Sequence, residues 1–126
     1  MLLKSLKFIL STIFFFLSLN LSFSSDLIIP KIKPSQQKAD LLYDEIDRNP
    51  LFYGTANKED RSNMNVCFLL NENSKKDTFD KLCNEVKING IKGHRSVGGY
   101  RASIYNAMPI ESVQVLVNLM QKLERI

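Results

Sequence analysis

The chain has no tryptophan, one histidine and two cysteines among its 126 residues, and the scarcity of histidine and cysteine closes off two classes of site. One imidazole and two thiols, with no Cys-x-x-Cys spacing, cannot assemble the four-ligand set of a structural zinc site. Two cysteines are too few for the disulfide framework of a small secreted domain. Cys67 falls in an apolar strand-like run and Cys83 on an apolar helical face, a setting that suits buried thiols in a reducing compartment; export would allow them to pair. Clusters of like charge are also missing. The net charge of +4 is dispersed, and its densest basic spot, Lys75-Lys76, reads as solvated loop, so nucleic-acid binding has no electrostatic footprint.

Long apolar runs are limited to one. Residues 1–25 carry Lys4 and Lys7, no acid, and a Phe, Leu, Ile and Ser run from Phe8 to Phe23 that ends in Ser22-Phe23-Ser24-Ser25. That is the order of a secretory signal, and the run is short beside the roughly 20 apolar residues of a spanning helix. Two readings stand: a working export signal, or the translation of an AT-rich stretch that imitates one. Without these residues 15 Lys plus Arg face 13 Asp plus Glu. Residues 26–37, with Pro30 and Pro34, read as a linker, and residues 38–126 as one domain.

Within that domain the periodicity alternates between helix and strand. Ala39, Leu42, Tyr43 and Ile46 predict an amphipathic helix from about Ser35 that stops before Asn49-Pro50. Met64 to Leu70 predicts a strand buried on one face and partly on the other. Asn71 to Asp77 reads as a charged loop, followed by a short helix through Phe79, Leu82, Cys83 and Val86. Strands are expected over Ile88 to Lys92 and Tyr100 to Tyr105. Pro109 opens a last helix whose apolar face is Val113, Leu116, Val117, Met120 and Leu123. Helix, strand, helix, strand, strand, helix implies a small α+β sandwich with a mixed or antiparallel sheet. Two amphipathic helices cover one sheet face and leave the other needing a partner.

The most informative segment is Gly93-His94-Arg95-Ser96-Val97-Gly98-Gly99-Tyr100-Arg101, which sets one imidazole and two guanidiniums among three glycines. A guanidinium presents a planar fork of donors that matches carboxylate or phosphate, and glycines let backbone N–H groups come close to the same ligand. His94, Arg95 and Arg101 are therefore candidate anion ligands. Taken singly, each also fits a blander role: His94 as a loop residue bonded to backbone, Arg101 as a surface cation, Gly98-Gly99 as a plain turn.

Leu41 to Asp47, Arg61 to Val66 and above all Lys92 to Pro109 resemble, in that order, the C-terminal domain of the phosphoserine aminotransferase family. The resemblance starts at Lys38 and covers roughly the last quarter of the family's usual length. It implies the small C-terminal domain of a fold-type I, class V aminotransferase, which works in the cytoplasm as a homodimer. The family reaction moves an amino group between phosphoserine and 2-oxoglutarate in serine biosynthesis, with pyridoxal phosphate as cofactor. By resemblance His94 and Arg95 contribute to holding the substrate phosphate, and Arg101 grips its α-carboxylate. The family's Schiff-base lysine lies in a large domain with no counterpart in this sequence. Ser35-Gln36-Gln37-Lys38 imitates the family's Ser-Gln-Lys-Asn cofactor word in the wrong order, and Lys38 reads as a solvated helix residue. The expectation is a fragment that contributes substrate ligands, does not bind the cofactor alone, is inactive alone and takes a separately encoded large domain as partner. The alternative is a stand-alone small anion-binding domain, exported or held at a membrane through residues 1–25.

Overall fold

The computed structural model describes residues 32–126. The leader, and the linker up to Lys31, lie outside the described residues. Helix α1 runs Pro34–Arg48, where a helix was expected from about Ser35, so its first turn takes in the last residues read as linker. Proline suits this first position because its missing N–H is one that a helix start leaves unbonded. The helix ends where Asn49, preceding Pro50, turns extended.

Three strands follow as an antiparallel sheet in the order β1 (Phe52–Gly54), β2 (Asn65–Leu70), β3 (Tyr100–Ser103). Helix α2 (Lys76–Glu85) lies between β2 and β3 in sequence, and α3 (Ile110–Glu124) closes the chain. The register sets Phe52 opposite Leu70, Cys67 opposite Arg101 and Phe68 opposite Tyr100. One face of the sheet, formed by Phe52, Val66, Phe68, Tyr100 and Ala102, is buried. Phe79 of α2 meets Phe52 at 5.3 Å and Tyr100 at 5.0 Å between ring centroids, both edge-on, so an aromatic cluster ties α2 to this face. The Tyr100 hydroxyl donates to Asp80 at 2.9 Å, and burial together with that bond pushes its pKa up.

Helices α1 and α3 pack on each other through apolar stripes joined by a polar knot. Glu45, 4% exposed, accepts from Arg48 (2.8 Å), Asn49 (2.9 Å) and Gln121 (3.1 Å). Burial raises the pKa of this carboxyl, but the three donors outweigh it and hold it below the usual carboxylate range. Arg48 also bridges to Glu124 at 2.6 Å, linking the ends of the two helices.

Several expectations need correction. Strand β1 was not expected. Ile88 to Lys92 is not a strand: only an isolated Lys92–Tyr100 bridge forms, because Lys87 (φ 61°) and Gly90 (φ 70°) break the extended run. Helix α2 begins at Lys76, inside the expected loop, after a 3-10 turn over Asn73–Lys75. Strand β3 stops at Ser103, and Pro109 sits just outside α3 in an extended conformation. No helix among the described residues is long and apolar enough to cross a membrane.

Candidate anion-binding site

The glycine-rich segment folds into a closed loop between the Lys92–Tyr100 bridge and β3. The Gly93 N–H donates to the Gly99 carbonyl at 2.9 Å, and the Arg101 N–H to the Ile91 carbonyl at 2.7 Å. Inside the loop the His94 carbonyl accepts from Val97 (3.0 Å) and Gly98 (2.8 Å). His94 Nδ1 lies 2.7 Å from Ser96 Oγ and accepts the Ser96 N–H at 3.3 Å, an arrangement that leaves Nε2 as the ring's donor.

Two consecutive left-handed residues, Gly98 (φ 73°) and Gly99 (φ 67°), turn the chain back into β3. They differ in surroundings. A Cβ on Gly98 would meet nothing within 4 Å, whereas one on Gly99 would lie 2.8 Å from both the Phe68 carbonyl oxygen and Leu69 Cδ2. Gly99 thus lets the loop press against the central strand and fixes its position relative to the sheet.

His94 and Arg95 occupy this loop, and Arg101 follows on the outward face of β3, opposite Cys67. All three side chains are exposed, and none bonds to another. The other arginines of the described residues are engaged. Arg48 pairs with Glu45 and Glu124; Arg61 pairs with Asp47 at 2.6 Å and stacks over the Tyr43 ring at 4.4 Å; Arg125 donates to the Gln121 carbonyl at 3.2 Å. The Arg61 guanidinium in turn holds the Asp47 carboxyl below its ordinary pKa. Arg95 and Arg101 alone among the described arginines have side chains with no hydrogen bond or ion pair to another described residue. Unpaired guanidiniums beside a glycine turn are free to take an external carboxylate or phosphate.

A cleft of about 360 Å³ opens along the outer edge of β3, walled by Ile88, Ile91, Ile104, Val113 and Leu116. Arg101 borders it; His94 and Arg95 do not. The sequence-derived residues therefore share a loop and a strand start, but not this cleft.

Lys38 corrects the reading of a solvated side chain. It is 2% exposed, and its Nζ donates to the carbonyls of Tyr105 (2.5 Å) and Met108 (2.8 Å), tying α1 to the turn between β3 and α3. The sequence signal was its place one turn before Leu42 on the helix stripe that also buries Glu45 and Asn49.

The described residues do not fit pyridoxal phosphate by themselves. A Schiff base needs an amine facing the cofactor, and a carboxylate usually faces the pyridine nitrogen. Lys38, the one buried lysine described, is committed to two backbone carbonyls; Lys87 is the lysine that lines the cleft, and no carboxylate lines it to face a pyridine nitrogen.

No family model matches this chain. Over 92 residues it is 68% identical to the phosphoserine aminotransferase of Flavobacterium johnsoniae, a match that covers 73% of this chain and 26% of the relative. The Porphyromonas gingivalis phosphoserine aminotransferase is 51% identical over 94 residues, again 73% of this chain and 26% of the relative. The solved phosphoserine aminotransferase of Bacillus circulans subsp. alkalophilus superposes with a TM-score of 0.68 at 42% identity, covering 72% of this chain and 26% of that one. The pyridoxal-phosphate-bound enzyme of Trichomonas vaginalis gives a TM-score of 0.63 at 39% identity, over 69% of this chain and 26% of that one. The chain spans about a quarter of the length of the curated relatives it matches. In sequence and in fold, its matching residues resemble a segment, about a quarter of the length, of phosphoserine aminotransferases.

Proposed function

We propose that residues 38–126 are the substrate-gripping part of a phosphoserine aminotransferase. His94 and Arg95 hold the substrate phosphate, and Arg101 holds its carboxylate. The observation that carries this reading is the pair of unpaired guanidiniums flanking the Gly98-Gly99 turn, in a segment whose relatives bear that name. Two charge-assisted grips on opposite ends of one small substrate fix its orientation, the positioning term on which a transamination depends. The lysine chemistry is not supplied by residues 38–126, which do not turn over alone.

The test is a chimaera in which residues 38–126 replace the matching segment of the Flavobacterium johnsoniae relative. It should transaminate O-phospho-L-serine, with activity lost on Arg101→Ala, while the 126-residue chain by itself gives no turnover. A folded, cofactor-loaded chimaera without activity, or turnover by the chain alone, would overturn the reading. Saturable binding of O-phospho-L-serine by the chain alone, combined with an inactive chimaera, would instead favour a stand-alone anion-binding domain.

A further inference from the structure

The cleft beside β3 exists because a neighbouring strand fails to complete. Ile91 and Lys92 run along the outer edge of β3, where the Arg101 N–H donates to the Ile91 carbonyl at 2.7 Å and Lys92 bridges to Tyr100. Left-handed Gly90 (φ 70°) turns this segment off the edge before it comes opposite Ser103. The Ile104 N–H donates the other way, to the Met64 carbonyl on the β2 side at 2.8 Å, so by alternation the Ser103 N–H points outward into the gap. It meets no acceptor among the described residues. A free edge donor inside a cleft is a group that an external acceptor satisfies.

The lining describes the rest of the ligand. Ile88, Ile91, Ile104, Val113 and Leu116 wall about 360 Å³, near the lower end of the range for small-molecule sites. Lys87 and Arg101 are the charged residues of the lining, which holds no acid. Lys87 is left-handed (φ 61°) just past the end of α2, a position where glycine or asparagine is ordinary, so the backbone is strained where it presents the ammonium to the cleft. The first turn of α3 lines the cleft through Ser112 and carries no side-chain cap, which leaves the positive end of the helix dipole to favour an anion. We propose that this cleft is a second binding site, for aliphatic monocarboxylates of medium chain length. The carboxylate takes the Ser103 N–H and the Lys87 ammonium, and the chain lies along the isoleucine and leucine wall. Two cations without an acid select an anion over an amine, and the apolar wall selects an aliphatic body over a polar one. His94 and Arg95 stand outside the cleft, so this site is separate from the phosphate grip and does not rest on the function proposed above.

The test titrates the isotope-labelled 126-residue chain with octanoate, and with hexanoate, acetate and octylamine for comparison, in amide-resolved NMR. Octanoate should bind saturably and shift the amide signals of Ile91, Ser103 and Val113, while those of Phe52 to Gly54, on the opposite edge of the sheet, stay in place. Hexanoate should bind about tenfold more weakly, the worth of two buried methylenes, and acetate and octylamine should not bind. Lys87→Gly suits the left-handed backbone and removes the ammonium, so the variant folds and should bind octanoate about three- to tenfold more weakly. Octylamine binding as well as octanoate, a response that does not saturate, or shifts confined to residues outside the cleft would overturn the site. So would a Lys87→Gly chain that binds octanoate as tightly as the parent. Displacement of octanoate by O-phospho-L-serine would overturn it as a separate site. An active chimaera beside a chain that ignores octanoate removes this site and leaves the functional reading standing, and octanoate binding beside an inactive chimaera does the reverse.

Discussion

Replacing Gly98 and Gly99 one at a time by alanine separates two costs that the loop sequence combines. Both residues are left-handed, so each variant carries about 1–2 kcal/mol of backbone strain. Restriction of the unfolded chain returns about 0.4–1 kcal/mol in each case. At Gly98 a Cβ points into open space, and the net loss should be about 0–1.6 kcal/mol. At Gly99 the Cβ falls 2.8 Å from the Phe68 carbonyl oxygen, which the central strand cannot move aside. Overpacking of that kind costs a further amount of about 1–3 kcal/mol, so Gly99→Ala should lose about 1–4.6 kcal/mol, always about 1–3 kcal/mol more than Gly98→Ala. Urea unfolding followed by circular dichroism reads the difference as a midpoint lower by roughly 1–3 M, given a slope of about 1 kcal/mol per M for so small a domain. Variants equal within about 0.5 kcal/mol, inside the error of additive comparisons, would refute the account of how the loop is fixed to β2.

Lys38→Met should destabilise the domain by about 3 kcal/mol in the same unfolding measurement, since it leaves the Tyr105 and Met108 carbonyls without their buried donor; a neutral effect would remove the clamp. Acid should weaken the fold through Glu45 and Asp47. Their folded pKa values lie below the unfolded ones, so their contribution is present above the ordinary carboxylate range and is lost as pH falls through the folded values. Glu45→Gln should make the acid limb of stability against pH shallower, and an unchanged limb would count against the polar knot. In the isolated chain both thiols should be free, with Cys67 alkylated well before Cys83, whose thiol burial pushes up to about 11; peptide mapping that finds Cys83 reacting first, or a Cys67–Cys83 disulfide, would contradict this.

How much of this was legible in the sequence varies by element. Helices α1 and α3 and strand β2 carry long apolar repeats, and their packing follows from those repeats. Strand β1 has only three residues after Pro50, too short for alternation to register, and it exists because Phe52 joins the Phe68–Phe79 cluster. Ile88 to Lys92 has strand-like residues, yet the left-handed Lys87 and Gly90 override them. A lysine in a polar-looking helix start reads as solvated because its acceptors, Tyr105 and Met108, lie 67 and 70 residues away. The candidate residues His94, Arg95 and Arg101 form one local word in the sequence, whereas their exposure, and the fact that only Arg101 borders the cleft beside β3, depends on how the loop lies against the sheet.

The assignment of two grips to two ends of one substrate is the central claim, and specificity kinetics of the chimaera test it most directly. Arg95→Ala should lower kcat/KM for O-phospho-L-serine by about ten- to a hundredfold, the worth of one charge-assisted hydrogen bond, while the low rate with L-alanine, which has no phosphate, stays unchanged. Arg101→Ala should lower both rates together. Parallel losses with the two substrates in Arg95→Ala, or a retained L-alanine rate in Arg101→Ala, would contradict the assignment of phosphate and carboxylate to these arginines.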